Sequence, residues 1–181
     1  MITLIQNMDL KIMELINKKL KNRILDRIMP IITFLGNGGT VWLIIAFYLI
    51  KGRTYKIEGY MVICALIITT IMGEGILKHL IRRARPFINN VEEKLLISKP
   101  ITYSFPSGHT ASSFASAGII IIMGNHLGVL AIILAFLIAF SRIYLNVHYP
   151  TDVIIGVILG LICSRLVISL FSSEAIRHLN L

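Results

Sequence analysis

An all-α, polytopic membrane bundle is the fold class that this 181-residue sequence predicts, and three observations predict it. Hydrophobic residues make up 56% of the chain and charged residues only 15%, and the mean hydropathy is +0.81, outside the range of ordinary soluble domains. Several charge-free runs are long enough to cross a bilayer. The polar residues gather at the ends of those runs rather than along them. Lipid offers the backbone no hydrogen-bond partners, so runs of this length must be helices.

Residues 2–21 are not a signal peptide, because Asp9, Lys11, Glu14, Lys18 and Lys19 interrupt them. Ile5, Met8, Ile12, Leu15 and Ile16 recur at helical spacing, which predicts a basic amphipathic helix lying on the bilayer surface. Ile31 to Ile50 is uncharged, but "GNGG" (Gly36 to Gly39) lies within it and predicts a break between two helical pieces. Gly59 to Leu77 carries a single charge, Glu74, and residues 82–104 read as the longest loop. Thr110 to Ser141 would overshoot the bilayer as one helix, so "GNHLG" (Gly124 to Gly128) predicts a hairpin between two spans. Val153 to Phe171 is the last span, with Gly156, Gly160 and Ser164 on one face for close helix contact. The reading is five spans plus the N-terminal helix, which is a possible sixth. Residues 1–30 form an interfacial segment, 31–173 the membrane-embedded domain and 174–181 a short tail. Cys64 and Cys163 sit in apolar runs and read as packing residues.

Three polar clusters remain: "KHLIRRARP", "PSGH" and "SRIYLNVHYPTD". Counting crossings between them places all three on one side of the membrane. Lys78, Arg85 and Arg142 then supply cations there, in a chain whose formal net charge is +9. In a membrane protein such an excess suits anionic headgroups or a phosphorylated substrate rather than nucleic acid. Ser107 and Gly108 stand at a helix start whose free N–H groups bind anions. Pro150 suits a first helical turn, and Asp152, four residues after His148, is placed to hydrogen-bond its imidazole. A neutral, oriented His148 facing a phosphoryl group is a nucleophile, and His109 is the natural acid for the leaving oxygen. Asp152 is single and Glu92 and Glu93 lie in a polar loop, so neither a metal site nor a cofactor is expected. Glu74 reads as a plain salt bridge to Lys78, and Arg83 as a substrate contact or a headgroup anchor.

Joined together, these residues resemble the type 2 phosphatidic acid phosphatase superfamily of membrane lipid phosphatases. The resemblance rests on Lys78, six residues, then Arg85-Pro86; on Pro106 to His109; and on Ser141-Arg142, five residues, His148, three residues, Asp152. It implies metal-independent hydrolysis of a lipid phosphomonoester or diphosphate through a phosphohistidine at His148. His109 would be the general acid and Asp152 the orienting partner. Lys78, Arg85, Ser107, Gly108 and Arg142 would bind the phosphoryl group. It further implies a multi-pass protein of a bacterial-type cell membrane with its site on the outer face. The partners expected are a lipid phosphate and membrane lipids, with no obligate protein partner and no nucleic acid. Undecaprenyl diphosphate is the favoured substrate by family analogy. A phosphatidate or phosphatidylglycerophosphate phosphatase, a lipid phosphotransferase and a small transporter are the alternatives.

Overall fold

The structure, a computed structural model, describes residues 2–52, 54–88 and 95–172. The tail at 174–181 and Glu92 and Glu93 lie outside the described residues. Among the described residues all regular structure is helical.

Helix α1, Ile2–Leu20, is followed by α2, Arg23–Leu35, whose N-terminus is capped by the Asn22 side chain accepting from the Ile24 and Leu25 amides. Helix α2 therefore runs straight through residue 30, with Pro30 inside it, and takes in the first half of the apolar run expected to start at Ile31. The chain breaks at Asn37–Gly39, where Gly38 and Gly39 have φ of 57° and 71°, and α3, Thr40–Lys51, leaves bent by 50°. Positive φ is the backbone state that glycine alone adopts freely, so "GNGG" does break the run.

Helix α4, Lys56–Thr70, continues through a π-helical stretch, Ile71–Leu77, into α5, Lys78–Ile81. A long connection leads to α6, Gly108–Ile122. A short hairpin follows, then α7, Gly128–Tyr144, and α8, Pro150–Ser172. The hairpin at Gly124 to Gly128 and the start of α8 at Pro150 both match the sequence reading.

Helix α6 is the central post and packs against α4, α7 and α8. Small residues make this possible. A Cβ added at Gly160 of α8 would lie 2.5 Å from the Ala111 carbonyl oxygen, and one at Gly118 of α6 would lie 2.8 Å from Ser164 Oγ. Such backbone-to-backbone approach is how helices associate in lipid, where burial of apolar area gives little drive. Ser113 on α6 accepts from Trp42 Nε1 at 3.0 Å, tying α3 to the post. At the end away from the site, buried Glu58 accepts from Asn125 Nδ2 at 2.8 Å. Cys64 and Cys163 are free thiols packed in or against the core.

Large apolar side chains such as Ile44, Phe47, Ile67, Ile133, Phe136, Ile154 and Ile162 stay exposed on the outside of the bundle, as a lipid-solvated surface requires. By length and composition two helical stretches can cross a membrane, Lys56–Ile88 and Pro150–Ser172, and the bent α2–α3 pair makes a third. Helices α6 and α7 are 15 and 17 residues long, short of the roughly 20 that a full crossing takes.

Candidate active site

Lys78, Arg85, Gly108, His109, Arg142 and His148 line one cavity of about 680 Å3, together with Thr33, Asn37, Glu74, Thr102 and the 97–100 segment. Residues of the three polar clusters thus meet in one cavity. Ser107 and Asp152 lie behind this wall and are fully buried. The Ser107 amide donates to the Asp152 carbonyl at 3.0 Å, which staples α6 to α8 at their N-termini.

Each cation is held by the local fold. Left-handed Arg82, at φ 49°, ends α5 and turns the chain so that Arg85 enters the site. Arg85 Nε donates to the Thr102 carbonyl at 2.7 Å, and Nη1 to the Val147 carbonyl at 2.8 Å. Arg142 Nη1 donates to Thr33 Oγ1, while its Nε has no hydrogen-bond partner. Lys78 Nζ donates to Thr102 Oγ1 at 3.0 Å and lies 2.7 and 2.8 Å from the two Glu74 oxygens. Lys78, Arg85 and Arg142 are all buried. Among the described residues neither arginine pairs with a carboxylate. A buried cation without a counter-ion is strongly unfavourable, so the chemistry of this cavity suits an anion.

His148 follows the turn that ends α7, where Asn146 takes a left-handed φ of 55° and the His148 amide reaches the Arg142 carbonyl at 3.2 Å. Arg85 Nη1 stands 3.3 Å from His148 Nε2. A guanidinium only donates, so Nε2 is the acceptor and Nδ1 carries the proton. Nδ1 lies 3.7 Å from Asp152 Oδ2 and has no other partner. That distance is longer than a hydrogen bond, which corrects the expected direct bond: the pair interacts through charge across a small gap. The gap has a cause, because Asp152 Oδ2 already accepts from Ser104 Oγ at 2.5 Å and the Tyr149 amide at 2.9 Å. Complete burial, with Arg142 and Arg85 adding to it against the pull of Asp152, lowers the His148 pKa to about 3. The imidazole is neutral at physiological pH.

His109 Nε2 sits 2.8 Å from Asn37 Oδ1. A Cβ at Gly36 would meet His109 Cδ2 at 3.0 Å and Ile138 Cγ2 at 2.9 Å. The "GNGG" break therefore serves the site: its turn delivers Asn37, and Gly36 lets the histidine pack close.

Arg83 is not among the residues lining the cavity. It bridges Asp152 Oδ1 and Asp9 Oδ2, each at 2.7 Å, and its guanidinium lies 3.9 Å over the Tyr149 ring. Glu74 does more than pair with Lys78, because a Cβ on Gly108 would collide with its carboxylate oxygen. Asp9, Ser104, Thr102 and Asn37 were not found from sequence. Asn37 had a signal, its place between glycines in an apolar run, whereas Asp9 looked like one more charge on a surface helix.

The model of the PAP2 superfamily matches residues 59–175. The chain belongs to the PAP2 superfamily. Similar proteins agree with that placement. An undecaprenyl-diphosphatase of Sulfolobus acidocaldarius is 34% identical over 142 residues, 77% of this chain and 68% of that protein. The crystal structure of Aquifex aeolicus LpxE superposes with a TM-score of 0.76 at 31% identity, covering 88% of this chain and 94% of that one. That of a transmembrane PAP2-type phosphatidylglycerolphosphate phosphatase from Bacillus subtilis does so with a TM-score of 0.74 at 26% identity, covering 92% and 85%. The protein is a PAP2 membrane lipid phosphatase, a hydrolase of phosphoester bonds. The PAP2 match starts at residue 59 and leaves Asp9 and Asn37 outside it.

Proposed function

We propose that this PAP2 enzyme hydrolyses a lipid diphosphate or phosphomonoester without metal, through a phosphohistidine on His148. The observation that carries this reading is the 3.3 Å contact between Arg85 Nη1 and His148 Nε2. It leaves the electron pair on Nε2, beside a cavity lined by three buried cations, with the Nδ1 proton toward Asp152.

The phosphoryl group docks on Lys78, Arg85, Arg142 and the Gly108 amide, while the buried Ser107 hydroxyl, accepting from Thr110 Oγ1, supports the start of α6 from behind. Nε2 attacks phosphorus, and the bond to the leaving oxygen breaks as His109 protonates that oxygen. The positive charge on the phosphoimidazole is balanced by Asp152. For this His109 enters the reaction as the imidazolium, balanced by the bound phosphate anion: Nε2–H stays on Asn37 Oδ1, Nδ1–H gives the first proton, and Nδ1 takes one from water in the second step. Water then attacks phosphorus and returns His148 to its neutral form. Fixed cations around the equatorial oxygens supply the charge stabilisation that phosphoryl transfer mainly needs.

Undecaprenyl diphosphate is the favoured substrate. Supporting it is the Sulfolobus relative, which carries that activity in its name. The Bacillus structure favours a second reading, phosphatidylglycerophosphate. We place five spans in the membrane and the site at its outer face, with α6 and α7 crossing as a tight hairpin.

The test is phosphate release from a panel of lipid phosphates by purified protein in detergent with EDTA. Release is expected, His148→Ala abolishes it, and enzyme quenched in alkaline detergent carries label from substrate labelled in the transferred phosphoryl group, a label that acid then removes. A requirement for added divalent metal, or activity surviving in His148→Ala, would sink the mechanism. Transfer to a second lipid without free phosphate would identify a phosphotransferase instead.

A further inference from the structure

Asp9 is an anomaly. It belongs to an amphipathic helix whose apolar residues Leu4, Ile5, Met8, Ile12 and Leu15 are all exposed, yet its own carboxylate is only 1% exposed. Helix α1 is inverted: it turns a charge and Met13 toward the protein and its greasy face outward, where lipid lies. A carboxylate is buried only when fully hydrogen-bonded, and this one is. Oδ1 accepts from the Thr151 amide at 3.0 Å, while Oδ2 accepts from Thr151 Oγ1 at 2.6 Å and Arg83 Nη2 at 2.7 Å.

These partners lead to the nucleophile. Thr151 is the second residue of α8, so Asp9 caps that helix from another part of the chain, the favourable place for a negative charge. Arg83 Nη1 passes on to Asp152 Oδ1 at 2.7 Å and also donates to Thr151 Oγ1 at 2.7 Å. Asp152 faces His148 Nδ1.

We infer that Asp9 is a positioning residue for catalysis: through Arg83 it sets the placement and charge of Asp152, and thereby the reactivity of His148. Two carboxylates share one guanidinium. With Asp9 present, Arg83 is held at both ends and only half of its charge is spent on Asp152. Without it, Arg83 pairs with Asp152 alone, and that carboxylate supports the positive phosphoimidazole less well. Asp9 is not among the residues lining the cavity, so its loss leaves substrate binding intact. The N-terminal helix is then a working part of the site as well as a membrane anchor. This inference rests on His148 being the nucleophile.

The experiment uses the full chain in detergent, a soluble short-chain prenyl diphosphate as probe, and Asp9→Asn, Arg83→Gln, the double variant and His148→Ala. Asp9→Asn is expected to lower kcat about 10-fold with KM within about 2-fold, the mark of an interaction made in the transition state. Phosphoenzyme formation slows by the same factor, and the Asp9→Asn effect disappears in the Arg83→Gln background. Should Asp9→Asn not yield folded protein, Thr151→Val, which keeps both charges and removes the hydroxyl shared by Asp9 and Arg83, is read in the same way. A kcat within 2-fold of the parent, a loss carried by KM, or an Asp9→Asn effect undiminished beside Arg83→Gln each overturns the inference. Activity in His148→Ala would instead overturn the nucleophile assignment beneath it.

Discussion

Replacing Glu74 with glutamine is expected to tighten the binding of inorganic phosphate. The Glu74 carboxylate holds Lys78 Nζ at 2.7 and 2.8 Å and crowds Gly108 at the start of α6. It therefore stands where the cations and the free amides of the helix N-terminus converge, and an arriving phosphate must displace or tolerate it. Two unit charges 4 Å apart interact by about 1 kcal/mol in bulk water and about 4 kcal/mol at the effective dielectric of a protein surface. The Glu74 side chain is 40% exposed, which puts its repulsion near the lower end, about 1–2 kcal/mol. Losing the helix pair with Lys78 takes back at most about 0.5 kcal/mol. The net expectation is an inhibition constant for orthophosphate lower by roughly 3- to 10-fold. The assay is competitive inhibition of lipid phosphate hydrolysis, run at low and high salt because screening shrinks the effect. An inhibition constant that rises or stays put would refute the reasoning and make Glu74 a holder of Lys78 rather than a competitor of substrate.

Asn37→Ala removes the acceptor on His109 Nε2 and is expected to lower kcat about 3- to 10-fold, since one hydrogen bond contributes about 0.5–1.5 kcal/mol; steady-state kinetics with KM as the internal control checks it. Gly160→Ala drives a methyl against the Ala111 carbonyl and the Ala115 amide, backbone atoms that cannot step aside, and overpacking of this kind costs about 1–3 kcal/mol; a lower melting temperature in detergent is the readout. His148 gives a pH dependence. Its pKa falls from 6.5 in the unfolded chain to about 3 in the fold, so the unfolded chain takes up a proton that the folded one refuses. The stability from keeping it neutral is complete above pH 6.5 and is lost as pH falls from there toward 3. Melting temperatures of the parent across that range decline more steeply than those of His148→Gln.

Much of the site was legible because its chemistry is written in fixed spacings. Lys78, Arg85, His109, Arg142 and His148 lie far apart in the chain, but each sits at a helix end, and counting crossings brought those ends together. The glycines of α8 were readable for the same kind of reason, since a residue without a side chain on one face announces close packing. What stayed hidden depended on tertiary partners. Nothing in the run Ile2 to Leu20 marks Asp9 as inward-facing, because the helix turns its polar residue inward only where Arg83 and Thr151 await it. The gap between His148 and Asp152 was equally invisible: four-residue spacing permits a hydrogen bond, but Ser104, from the far end of the long connection, claims the oxygen first. The extent of α2 was misjudged because a charged first turn, Arg23 to Arg27, hides a helix that its Asn22 cap plainly starts.

The size of the cavity bears on what selection this enzyme can exercise. At about 680 Å3 it has the capacity of a small-molecule pocket, enough for a charged head and the first few carbons behind it. A long acyl or prenyl chain must stay dissolved in the bilayer while its head is cut. The expected outcome is that two lipids with the same terminal group are hydrolysed at similar rates, which competition in mixed micelles checks. On that expectation, the composition of the surrounding membrane becomes a determinant of which lipid is consumed.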